Sequence, residues 1–239
     1  MELMNNKFIF DVDGTLTPSR RSIDIEFQRF FLDFIYANHV YLVTGSDSAK
    51  TIEQLGQIIF NEVDRVYNCN GNDVWESGVN TYTNEWVLPT DAGHWLEHKL
   101  EESNFSIRTG NHIEHRPGMV NFSVVGRNAN VKQRKAYVTY EGDHSERHYI
   151  ARGFNAKFPE LEATVGGETG IDIAPRGSDK SQVIKDFDSF DCTYFFGDMM
   201  LPGGNDYPLA VKVTESIHVA DWRETRLRLE EFQKLGIAI

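Results

Sequence analysis

Apolar positions in this chain follow two rhythms. Short apolar runs at residues 8–10, 40–43 and 194–196 predict strands buried on both faces, and residues 63–67 read as one more. Between them, Ile23, Phe27, Phe30, Phe31, Phe34 and Ile35 recur at helical spacing, and Ile52, Leu55 and Ile59 share one side of a second helix. Such alternation predicts an α/β fold, a doubly wound and mostly parallel sheet with helices laid on it. Asn68 to Asn72 is a cluster of turn residues in which Asn70-Gly71 begins a hairpin.

From about Gly78 the alternation stops. Val120, Phe122 and Val124 alternate with Asn121 and Ser123, the period of a strand with one apolar face. Residues 143–158 read as a helix carrying His144 and His148 one turn apart; with no third ligand in view these belong to a solvated face rather than a metal site. Gly166-Gly167 is a turn, and residues 169–173 form a short strand carrying Asp172. The expected division is therefore a first domain of residues 1–77 and 176–239, with a separate α+β unit, 78–175, inserted into it. Back in the first domain, Asp179-Lys180-Ser181 opens a helix, residues 217–220 form a strand, and Asp221 with Glu224 three positions on has the spacing of a capping box.

The chemistry gathers where strands end. Phe8-Ile9-Phe10 runs into Asp11-Val12-Asp13-Gly14-Thr15, so two carboxylates stand at the carboxyl end of a central strand, where open α/β sheets bind ligands. Asp11 is the candidate nucleophile on phosphorus, and Asp13 the acid/base that exchanges a proton with the departing or arriving hydroxyl. The alternative is a surface Asp-Gly turn. Tyr194-Phe195-Phe196-Gly197-Asp198 repeats the pattern, and Asp11, Asp198 and the carbonyl of Asp13 make a hard-oxygen set suited to Mg²⁺. At the end of the 40–43 strand, Thr44 and Ser46 offer a hydroxyl and helix-start amides to a phosphoryl oxygen, unless Ser46 or Asp47 is only an N-cap. Lys180 stands at a helix start, where its charge opposes the macrodipole, so it reads as a functional cation or else a surface lysine. Arg116, Arg127 and Arg134 surround the inserted strand; guanidinium forks match phosphate oxygens, although any one of them alone is a plausible surface charge.

Together these segments resemble the haloacid-dehalogenase-type phosphotransferases. Arg116-Pro117-Gly118-Met119-Val120-Asn121-Phe122-Ser123-Val124-Val125-Gly126-Arg127 and Pro202-Gly203-Gly204-Asn205-Asp206 narrow the resemblance to the eukaryotic-type alpha-phosphomannomutases. It covers most of the chain and is weakest between residues 77 and 106. It implies a haloacid dehalogenase-like core with a cap. By the same match Arg20, Arg116, Arg127 and Arg134 hold the substrate's distal phosphate and nearby hydroxyls, and Asp172 accepts from sugar hydroxyls. Lys180 offsets charge between nucleophile and phosphoryl group, with Asn205 and Asp206 orienting it, bound water or loop backbone. At Gly170 the family often has Ser, so a phosphate contact there falls to a backbone amide and water. At Thr44 the mutases usually have Gly and related sugar-phosphate phosphatases have Thr. Where family members carry an acidic ligand for a structural cation, this chain has Lys212, whose ammonium is expected to replace that cation.

Length, charge and cysteines narrow the rest. The 239 residues suffice for one large domain or a core with an insert, and the formal charge of −12 argues against nucleic-acid binding. Cys69 and Cys192 have no metal spacing and read as free thiols of a reducing compartment. No apolar run approaches a membrane span and no signal peptide is recognised, so a cytoplasmic protein with no membrane partner is expected. The leading expectation is a Mg²⁺-dependent mutase of hexose phosphates, mannose preferred, primed by a hexose 1,6-bisphosphate. The resemblance adds a homodimer formed through the cap. The alternatives are a sugar-phosphate phosphatase and a non-catalytic sugar-phosphate sensor.

Overall fold

The structure, a computed structural model, describes residues 5–19 and 21–239. Arg20, expected to contact substrate, lies outside the described residues. The chain begins with strand β1 (Asn5–Phe10), helix α1 (Ile25–Ala37), strand β2 (His39–Val43), helices α2 (Ser48–Leu55) and α3 (Gln57–Glu62), and strands β3 (Arg65–Asn68), β4 (Asp73–Glu76) and β5 (Val79–Thr83). Next come α4 (Thr90–Glu102), β6 (Ile113–Arg116), β7 (Met119–Phe122), α5 (Val131–His144), α6 (Glu146–Lys157), β8 (Leu161–Gly166) and β9 (Gly170–Pro175). A 3-10 helix (Lys180–Asp186), β10 (Asp191–Gly197), α7 (Tyr207–Ala210), β11 (Glu215–His218) and α8 (Trp222–Lys234) complete the chain. Two compact units result, one of Met1–Thr83 with Ser178–Ile239 and one of Asn84–Gly177.

The first unit holds a seven-stranded sheet ordered β11-β10-β1-β2-β3-β4-β5. The first five strands run parallel, and β4 and β5 are antiparallel additions at one edge. β1 is central because both of its faces are apolar. Phe8 and Phe10 join Phe27, Phe31 and Phe34 of α1 in one buried cluster, while Ile9 joins Val43, Phe195 and Leu209 in another. Phe10 stacks on Phe196 at 4.8 Å and meets Phe31 edge-on at 5.2 Å. Each ring removes about 150–250 Å² from water, and a one-residue slip of β1 would exchange its two faces, so packing fixes its register between β2 and β10. That register decides which side chains emerge at the strand ends.

Three local features differ from the sequence reading. Residues 79–83, placed in the insert by their change of character, pair antiparallel with β4 and are the edge strand of the first unit. Ser77 and Gly78 both have positive φ, 48° and 73°, as a tight hairpin turn requires, so an apparent boundary is a fold-back. The helix read over 143–158 is two helices: Ser145, at φ 51°, ends α5 and precedes α6. His144 closes α5 and stacks on Tyr140 at 4.0 Å, so it shares no helix turn with His148. Asp221 is the N-cap of α8, but the return bond of the capping box is displaced by one residue. Its carboxylate accepts from Arg223 N and Glu224 N, while Glu224 accepts from Ala220 N.

The second unit is built on an antiparallel sheet ordered β6-β7-β9-β8. Val120, Phe122, Ile171 and Ile173 turn one face into a core with Tyr137 and Phe154. On the other face Glu114, Asn121, Asp172 and Thr164 lie in one cross-strand row.

Candidate active site

Parallel pairing of β1 with β10 brings Asp11 and Asp198 to adjacent strand ends. The Asp11 amide continues the ladder by donating to Phe196 O at 2.9 Å, after which the chain turns back on itself, Leu16 N and Thr17 N both donating to Val12 O. Gly14 makes this turn at φ +84°, and a Cβ there would overlap the Asp198 carboxylate. Only glycine suits both the backbone angle and the close approach.

Lys180 is the first residue of the 3-10 helix, which Asp179 caps by accepting from Ser181 N. Its side chain is fully buried. The ammonium donates to Asp11 Oδ1 and, at 2.7 Å, to Asp206 Oδ1, while Asp206 Oδ2 accepts from Met199 N at 3.0 Å. An isolated buried ammonium would cost several kcal/mol, so these partners are a condition of the fold as well as of the site. Burial alone would lower the lysine's pKa, but Asp11 and Asp206 outweigh it and hold the ammonium charged. Burial pushes Asp11 up, to about 7, with Lys180 opposing and Asp206 and Asp198 adding to the rise. Asp198 is raised for the same reasons, burial first and Asp206 next.

Three carboxylates thus share one ammonium, an excess of negative charge that a divalent cation would balance. Oxygens of Asp11, Asp198 and Asp206 lie within 4.8 Å of one another. Lys180 and Met199 N engage both oxygens of Asp206, at 2.7 and 3.0 Å, whereas Asp11 Oδ2 has only a long contact from Thr15 Oγ1 at 3.4 Å, so Asp11 and Asp198 are the better ligands and Asp206 the holder of Lys180. Such hard oxygens fit Mg²⁺. The Asp13 carboxylate is not in this cluster: its Oδ1 accepts from Gln54 Nε2 at 2.9 Å, so any metal contact from Asp13 falls to its backbone carbonyl. Asn205 is exposed on its loop, and of that pair Asp206 holds the lysine. Lys212 donates to Ser181 Oγ at 2.8 Å, one residue beyond Lys180.

At the end of β2, Thr44 is buried and its Oγ1 accepts from Ser46 N at 3.1 Å, leaving the hydroxyl hydrogen to donate. Asp47 is the N-cap of α2, accepting from Lys50 N at 2.8 Å. Asn70 N and Cys69 N tie the loop down by donating to Thr44 O and Ser46 O.

The second unit gathers the arginines. Arg116 donates to Glu114 Oε2 at 2.7 Å, and Arg127 Nε lies 2.8 Å from the same oxygen in an ion pair too poorly aligned to be a hydrogen bond. Arg134 grips Glu168 through two nitrogens, at 3.1 and 3.2 Å. Burial, with the charges of Arg116 and Arg134 outdoing part of the relief from Glu114, pulls Arg127 below the usual guanidinium range. Asp172 Oδ1 accepts from Asn121 Nδ2 at 2.6 Å, and Gly170 leaves room for that amide, since a Cβ there would press on it. Arg147 clasps the turn beside them by donating to the carbonyls of Gly167 and Gly170.

Comparison with known proteins agrees with this chemistry. The family model of eukaryotic phosphomannomutase matches residues 27–234. The chain belongs to the eukaryotic phosphomannomutase family. It is 32% identical over 219 residues to a phosphomannomutase of Saccharomyces cerevisiae, covering 85% of this chain and 84% of that one. A phosphomannomutase of Dendrobium officinale is 32% identical over 210 residues, covering 84% and 83%. Among solved structures, an IMP-nucleotidase mutant of Plasmodium falciparum aligns with TM-score 0.63 at 14% identity, covering 96% of this chain and 68% of that one. A trehalose-6-phosphate phosphatase related protein aligns with TM-score 0.56 at 20% identity, covering 97% and 99%. At such identities these two show the fold alone. As an enzyme of the phosphomannomutase family the chain acts on a small sugar phosphate and uses a divalent metal.

Gln54, Asn121, Glu114 and Glu168 were not singled out from the sequence. Asn121 was visible only as the polar phase of an alternating strand, and Gln54 as a polar position in a helix. Their partners lie 41 and 51 residues away in the chain, a separation that periodicity does not bridge.

Proposed function

We propose that this phosphomannomutase-family enzyme interconverts mannose 6-phosphate and mannose 1-phosphate through an aspartyl-phosphate, with a hexose 1,6-bisphosphate as primer and intermediate. The observation that carries the reading is the buried contact of Lys180 with Asp11 at the end of the central strand. A carboxylate kept dry and faced by an ammonium is poised to attack phosphorus, because charge carried onto the transferring group is met by a fixed cation rather than by water. In the first half-reaction an Asp11 oxygen bonds to phosphorus as the phosphorus–oxygen bond to the sugar breaks, and Asp13 gives its proton to the sugar oxygen. In the second, a hydroxyl of a hexose phosphate takes the phosphoryl group from Asp11 and Asp13 receives the hydroxyl proton, which restores both acids. Mg²⁺ bound by Asp11, Asp198 and the Asp13 carbonyl would neutralise charge on the phosphoryl oxygens. Thr44 and Ser46 are assigned to a phosphoryl oxygen. Arg116, Arg127 and Arg134, with Asp172 and the backbone at Gly170, are assigned to the distal phosphate and ring hydroxyls, and Arg20 by the family match alone.

The Thr44 hydroxyl, with its hydrogen available beside the candidate phosphoryl site, favours a second reading as a sugar-phosphate phosphatase. One assay separates the two: mannose 1-phosphate formation and inorganic phosphate release, each followed from mannose 6-phosphate with and without glucose 1,6-bisphosphate. Primer-dependent isomerisation with little phosphate release is expected. Fast phosphate release without isomerisation would replace the mutase by the phosphatase.

Neither of the two buried cysteines is in a disulfide, which suits a reducing compartment, and we place the protein in the cytoplasm on that ground. No described helix is long and apolar enough to cross a membrane. A homodimer through the second unit is supported by Val131 and Val138, two turns apart on α5, and Tyr149 on α6, all of which expose apolar surface. Sedimentation at working concentration tests it.

A further inference from the structure

Gln54, near the end of α2, is a polar residue only 1% exposed. Its amide nitrogen donates to Asp13 Oδ1 at 2.9 Å and to Thr17 Oγ1 at 3.1 Å. Hydrogen-bond directions in this network are forced. The Thr17 hydroxyl spends its hydrogen on Val12 O at 3.3 Å, so towards Gln54 it accepts, and both hydrogens of the amide are committed. Reversing the amide would point an oxygen at a carboxylate. The remaining amide oxygen, Oε1, is buried without a hydrogen-bond partner, a cost normally avoided by choosing another residue. The backbone of the same residue is tied as well, Ile23 N donating to Gln54 O at 2.8 Å. A buried glutamine that leaves one polar atom unsatisfied in order to present two donors to the first loop is costly as a packing element.

We propose that Gln54 is a positioning residue that aims the Asp13 carboxyl group at the sugar oxygen. Its amide holds Oδ1, so the same edge of the carboxyl group is anchored in both halves of the cycle. The same bond limits rotation of the Asp13 side chain, so Oδ2 is presented to the sugar oxygen in a constant direction each time the bisphosphate turns over. This inference rests on the proposed function, because it concerns how that reaction's acid/base is aimed.

Leaving-group chemistry tests it. A hexose oxygen leaves poorly without a proton, whereas the carboxylate of acetyl phosphate leaves without one, so aim of Asp13 matters for the first donor and not for the second. The variant is Gln54→Met, which keeps length and removes both donors; Gln54→Glu, of the same shape but accepting instead of donating, serves if the first does not fold. Phosphorylation of Asp11 is followed with glucose 1,6-bisphosphate and with acetyl phosphate on one preparation, so any unfolded fraction cancels in the ratio of the two rates. Expected is a fall of about tenfold or more in the ratio of bisphosphate to acetyl phosphate rate. Equal loss with both donors would make Gln54 a structural residue, and no loss with either would make it idle; each overturns the proposal. A wild-type protein that is phosphorylated by acetyl phosphate and not by the bisphosphate would remove the mutase reading, and this inference with it.

Discussion

Lys180 and Asp11 stand 169 positions apart in the chain and meet as a fully buried ion pair, with Asp206 on the other side of the same ammonium. The pair depends on two elements, the end of β1 and the start of the 3-10 helix. Lys180→Met should therefore do two things at once. Phosphoryl transfer should be lost, and the protein should be destabilised by about 3–5 kcal/mol because two carboxylates are left buried without their cation. Urea unfolding beside a turnover assay measures both.

Burial raises Asp11 well above the usual carboxylate range, to about 7, so between pH 4 and pH 7 the native state holds a proton that the unfolded chain has released. Stability from this group is therefore highest at low pH and declines as pH rises through that window. In metal-free protein Asp11→Asn should melt at a higher temperature than wild type at pH 7.5, with the difference vanishing near pH 4. Added Mg²⁺ should raise the melting temperature of wild type far more than that of the variant. Thermal scans at the two pH values, with and without Mg²⁺, check each statement.

Gly14→Ala would place a methyl group against the Asp198 carboxylate in a backbone conformation, φ +84°, that L residues rarely adopt. A destabilisation of about 1–3 kcal/mol is expected, together with weakened Mg²⁺ binding because Asp198 must move. Calorimetric titration with Mg²⁺ and urea unfolding read the two effects separately.

Asn121 holds Asp172 at 2.6 Å across β7 and β9. Asn121→Ala removes that tether and is expected to raise KM for mannose 6-phosphate about tenfold. Acetyl phosphate, which has no sugar to recognise, should react at an unchanged rate. Steady-state kinetics with both donors tests the split.

Much of the first unit was legible because its strands announce themselves. Phe8 to Phe10 are buried on both faces, as are Phe195 and Phe196 behind a half-buried Tyr194, and an acid closes each run. Lys180 stood out through its conflict with a helix start. The edge strand β5 was not legible: all five of its residues are exposed, so it lacks the apolar alternation that marks a half-buried strand. Likewise Ser145 breaks a helical pattern with a left-handed backbone that a serine does not advertise. Gln54 and Asn121 act through polar partners on other elements, and only the fold brings those partners within reach.

The central claim is that Asp11 itself carries the phosphoryl group. Protein incubated with Mg²⁺ and glucose 1,6-bisphosphate, quenched in acid and cleaved to peptides, should show phosphate on the peptide containing Asp11, and Asp11→Asn should show none. Phosphate on another residue, or isomerisation that persists in Asp11→Asn, would contradict the account.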